Sequence, residues 1–69
     1  MKLKTAEDGT FAAGIRKHIE RRVDMGEINE ENMVDVVGKF SAQLAKEYKD
    51  ESPVNITEDI QEYVKECLE

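Results

Sequence analysis

Apolar residues recur at helical spacing in three stretches of the chain. In the first, Phe11, Ala12, Ile15, Ile19 and Val23 share one helical face, which predicts a helix over 10–25. Thr10 is its N-cap candidate, because a hydroxyl there can accept a hydrogen bond from a free first-turn N–H. Gly14 weakens the stretch by about 1 kcal/mol relative to alanine. Gly26 is placed to end the helix in the left-handed conformation that glycine adopts without a Cβ clash.

The second stretch has the widest apolar face. Met33, Val36, Val37, Phe40, Leu44 and Tyr48 form it, and Val34, Ser41 and Ala45 widen it on one side. Asn29 is the N-cap candidate, and Glu30 and Glu31 follow where negative charge suits the helix dipole. Ile28 and Met33 flank that cap as a hydrophobic staple would. The expected helix covers 30–49, about 30 Å at 1.5 Å per residue. Pro53, the only proline, marks the clearest break. A third helix is expected over 57–68, with Ile56, Ile60, Tyr63, Val64, Cys67 and Leu68 on one side. In residues 1–9, Met1, Leu3 and Thr5 alternate with Lys2 and Lys4, which fits a short strand. A loose arm is favoured, since two short strands alone are marginal. The expected fold is all-α: one domain over 1–69, a three-helix bundle with the second helix central.

Size sharpens this picture. A chain of 69 residues buries only about 60% of its unfolded surface. Such a core rarely supplies more than about 3–5 kcal/mol, and small domains add disulfides, metals or oligomerisation. A single cysteine excludes an internal disulfide, and no ligand set for a metal is evident. Self-association as a homodimer is therefore expected, with Val36, Phe40, Leu44 and Tyr48 as the candidate apolar seam. No apolar run approaches the roughly 18 residues of a membrane span, and no secretory leader is visible in 1–10. A cytoplasmic location is the expectation.

The net charge of −6 hides a division. Residues 1–25 carry six Lys/Arg against four Asp/Glu, for +2; residues 26–69 carry four against twelve, for −8. All three arginines lie on the first helix, where Arg16, Lys17, Arg21 and Arg22 make a candidate basic surface. The last helix bears Glu58, Glu62 and Glu66 at i,i+4 spacing, broken nearby only by Lys65. Like charges at that spacing repel mildly, so something positive should offset them: the first helix, a second copy or a basic partner. The same acids are the candidate acidic surface.

Catalytic chemistry finds little support. His18 is the only histidine and has no partner histidine at ligand spacing. Cys67 follows Glu66 at a helix C-terminus, a setting that raises a thiol pKa rather than lowering it. Gly9, Gly14, Gly26 and Gly38 are scattered and form no phosphate loop. Glu27, Asn29 and Glu31 alternate like a calcium loop but lack its glycine and distal glutamate. No catalytic, cofactor-binding or metal-ligating residue is assigned. The leading expectation is a small acidic, non-enzymatic interaction or regulatory module that presents helical surfaces to a protein partner. The first alternative is an inhibitor whose carboxylates mimic nucleic acid. The second is a dimeric nucleic-acid binder using the basic first helix, although the acidic remainder opposes approach to phosphates.

Overall fold

Helix capping divides the chain. The computed structural model describes residues 2–69, with helices α1 (Phe11–Asp24), α2 (Met33–Glu47) and α3 (Pro53–Leu68) preceded by a single 3-10 turn at Leu3–Thr5. The all-α three-helix bundle is as expected, and no strand occurs among the described residues. Met1, part of the alternation at the start of the chain, lies outside them.

Thr10 caps α1 as expected: its Oγ1 accepts from Ala13 N–H at 3.1 Å. At the other end Gly26 has φ of +77°. Its N–H donates to Val23 O at 3.0 Å, and Glu27 N–H donates to Arg22 O at 2.8 Å. This 5→2 and 6→1 pair is a Schellman motif, which needs a left-handed residue at the Gly26 position.

The second helix starts later than the sequence suggests. Asn29 N–H donates to Asn32 Oδ1 at 2.8 Å, and Asn32 N–H donates to Asn29 Oδ1 at 3.0 Å. The reciprocal pair works as a capping box does, with asparagine at both ends. Asn32 Nδ2 also donates to Glu27 O at 2.7 Å. Residues 30–32 are held as a turn, and regular α-helix begins at Met33. It ends at Glu47 rather than Lys49.

The third helix starts four residues earlier than expected. Ser52 is extended (φ −63°, ψ 132°) and Pro53 is the first helical residue. Proline is suited to that position, because its fixed φ is helical and its missing N–H has no partner there anyway. Pro53 therefore opens α3. Thr57 lies inside the helix, its hydroxyl donating to Pro53 O at 2.9 Å.

The bundle is an α2–α3 antiparallel pair with α1 laid across one side; the α2–α3 contact is the most extensive. Ile19, Leu44, Ile56, Ile60 and Val64 are fully enclosed, joined by Ile28 from the first connection. Phe11, expected on the inner face of α1, is 43% exposed, and Ala13 turns inward beside Ala12 instead. The start of the chain is docked rather than loose. Leu3 is fully buried in the same core. Its N–H donates to Asp59 Oδ2 at 3.0 Å. Arg16 Nη1 donates to the carbonyls of Leu3, Lys4 and Ala6 at 3.2, 3.2 and 2.9 Å.

Candidate interaction surface

The apolar residues expected at a dimer seam are in the core. Val36, Phe40 and Leu44 are 8%, 4% and 0% exposed. Tyr48 is half-buried against them, and its hydroxyl accepts from Ala12 N–H at 3.1 Å. That donor is one of the orphans of the first turn of α1. α1 and α3 both pack on this part of α2, so Val36, Phe40 and Leu44 offer almost no surface to a second copy and Tyr48 only part of one, while Val34 at the margin of the arc stays 73% exposed.

The basic residues do not form one strip. The Arg16 side chain is 17% exposed, and its guanidinium is occupied by the arm's carbonyls. Arg22 Nε lies 3.3 Å from Glu27 Oε2, tying the end of α1 to the turn that follows. Lys17 Nζ is 4.0 Å from Asp8 Oδ1. Arg21 is exposed. Two of the four cations thus serve the fold, and the two exposed ones make a small positive area.

The acidic residues stay outside. Glu58, Glu62 and Glu66 are exposed along α3, one turn and about 6 Å apart. Lysines of the amino-terminal arm, rather than the arginines of α1, lie against them. Lys4 Nζ is 3.7 Å from Glu66 Oε2. Lys2 and Lys4 line a shallow cleft of about 150 Å³ with Asp59, Glu62 and Glu66. An adjoining cleft of about 280 Å³ continues past Glu58 to Asn55 and Glu51. Asp59 forms the floor between arm and helix. Burial raises its carboxyl above the ordinary aspartate value, against the Leu3 N–H bond and the nearby Lys2 charge, which lower it.

Two contacts escaped the sequence reading. Tyr63, buried on α3, donates its hydroxyl to Glu20 Oε1 of α1; burial, then this bond, raises its phenol well above the ordinary value. His18 stacks edge-on against Phe40, with ring centroids 5.5 Å apart at 77°. Both follow from how α1 crosses the other helices, which no local pattern encodes. Cys67 is half-buried beside Tyr63, and burial raises its thiol pKa, so little reactive thiolate forms at neutral pH. Among the described residues, no group of three His, Cys, Asp or Glu side chains is placed to hold a metal ion, and no helix is long and apolar enough to cross a membrane. No protein family, curated protein or solved structure matches the chain.

Proposed function

We propose that the protein is a small acidic interaction module that binds a basic segment of a protein partner along α3. The supporting observation is the contact of Lys4 with Glu66. The chain's own ammonium group already rests on this face, which marks it as a surface that receives cations. Glu58 and Glu62 extend the same line of negative charge, and the two clefts beside them give a lysine or arginine side chain room to lie down. Exposed pairs of this kind contribute little singly, about 0–1 kcal/mol. Recognition therefore comes from several contacts at once, and it steers association more than it sets final affinity.

A nucleic-acid mimic is the second reading, favoured by the regular spacing of the three carboxylates on a rigid helix. It differs only in the partner, a protein whose basic groove normally holds a phosphate backbone. Retention of partners on the native chain and on a Glu58→Gln/Glu62→Gln/Glu66→Gln variant tests both readings. The proposal expects salt-sensitive partners on the native chain that the folded variant fails to retain. Among these, a partner displaced by DNA or RNA supports the mimic. Identical partners on both chains would refute both readings.

A further inference from the structure

A groove of about 360 Å³ runs between α1 and α2. One wall is the row Gly14, His18 and Arg22, at i,i+4 spacing on α1; the other is Lys39 and Gln43, at the same spacing on α2. The buried Ile15 and Phe40 form its floor, and the His18 ring rests edge-on against Phe40. Neither walls nor floor include a carboxylate. In a chain with sixteen Asp/Glu against ten Lys/Arg, the groove reverses the prevailing sign. Three other clefts each include Glu or Asp.

These cations are not consumed within the chain. Lys39 is exposed and forms no ion pair among the described residues. Asp35, one turn before it on α2, does not come within ion-pair distance and does not line the groove. Arg22 gives its Nε to Glu27 at 3.3 Å. Its two terminal nitrogens carry the other four of the five guanidinium N–H donors, and these have no partner among the described residues. Gly14 opens the α1 wall. A Cβ there would meet nothing within 4 Å, so a glycine that costs about 1 kcal/mol within a helix answers no packing need of the chain. It lets a ligand approach the α1 backbone closely.

The lining asks for a ligand with two parts: an anion for Arg22 and Lys39, and a small apolar group for Ile15 and Phe40. A phosphate backbone supplies only the first, and the chain's charge of −6 opposes a long polyanion. A short acidic peptide supplies both. We infer that this groove docks an acidic segment of a protein partner, its carboxylates on Arg22 and Lys39 and one apolar side chain over the floor. The groove shares no residue with the cation-binding face proposed on α3. Two docking sites of opposite sign let one small chain join a basic partner to an acidic one.

Titration of a short peptide with one phenylalanine between glutamates tests it, followed by calorimetry and backbone amide shifts at low salt. Shifts are expected at Gly14, His18, Lys39 and Gln43. The same peptide with glutamines for glutamates is expected to bind about tenfold more weakly. Gly14→Leu fills the groove from an exposed helical position, and Lys39→Glu reverses a wall charge. Each is expected to stay helical by circular dichroism and to weaken binding about tenfold. Lys39→Glu decides alone should Gly14→Leu lose its helicity. Glu58→Gln/Glu62→Gln/Glu66→Gln is expected to bind the peptide at least as tightly as the native chain, which separates this site from the α3 face. No binding, shifts confined to other residues, equal binding of the glutamine peptide, or a folded Lys39→Glu of native affinity overturns the inference. Inorganic phosphate or single-stranded DNA giving the same shifts at lower concentration also overturns it, because the groove then reads phosphate.

Discussion

Replacing Leu3 by alanine tests how the start of the chain contributes to the fold. Leu3 is 0% exposed. Burying a leucine side chain is worth about 1.5–3 kcal/mol, and Leu→Ala in a core costs about 2–5 kcal/mol once the cavity is included. The arm is near a chain end and can move to relieve the void, so the lower part of that range applies, about 2–3 kcal/mol. Arg16→Ala removes the other clamp, three hydrogen bonds from one nitrogen to Leu3, Lys4 and Ala6 carbonyls. Two hydrogens on that nitrogen serve three acceptors, and freed carbonyls regain water. A cost of about 1–2 kcal/mol follows. Both substitutions release the same arm. Once it is free, the second has little left to remove, so the double variant is expected to lose no more than about 3 kcal/mol, short of the sum. Urea denaturation followed by helix ellipticity gives the three values. For a domain this small, each kcal/mol lowers Tm by about 4–8 °C. Strict additivity would refute the single docked unit, and a Leu3→Ala cost below about 0.5 kcal/mol would refute burial of the arm.

Three further outcomes follow. Phe40→Asp is expected to unfold the chain, with a loss above about 4 kcal/mol, because it places a carboxylate where the side chain is 4% exposed; a folded variant in circular dichroism contradicts the core assignment. Gly14→Ala is expected to raise stability by about 0.5–1 kcal/mol, since a Cβ there meets nothing within 4 Å and alanine is the better helix former; lower stability in denaturant refutes this. The Asp59 carboxyl is raised by burial, so the folded chain holds that proton more tightly than the unfolded one. Its contribution is present below the ordinary value of 3.8 and is lost as pH rises through the higher folded value. Asp59→Asn keeps an acceptor for Leu3 N–H without this titration. Its stability relative to the native chain is expected to grow as pH rises from 3.8 through the higher folded value and then to level off; a pH-independent difference in denaturation midpoints contradicts the assignment.

The helices were legible because each carries its own apolar face and start or stop chemistry. Thr10 and Gly26 act locally, and local chemistry is what a sequence displays. Pro53 shows the limit: proline signals a break and also a first helical residue, and only the chain around Ser52 decides between them. Leu3 and Arg16 were hidden for a different reason. Their partners lie far along the chain, with Leu3 bonded to Asp59 and Arg16 wrapped by the returning arm. A basic cluster on the first helix therefore read as surface when its most buried member is a clamp. Val36, Phe40 and Leu44 read as a candidate seam because their burial under α1 and α3 is a property of how the helices pack, not of the α2 pattern. The acidic line of α3 was legible, since its spacing places it outside whatever the helix packs on.

The account rests most on α3 as a cation-binding face. Its direct measure is titration calorimetry of a lysine-rich peptide into the native chain and into Glu58→Gln/Glu62→Gln/Glu66→Gln, at low and high salt. The native chain is expected to bind at low salt and to weaken as salt screens the face. The variant is expected to keep its helicity and lose most of the binding. Equal affinity for both chains, or no binding to the native chain at low salt, contradicts the account.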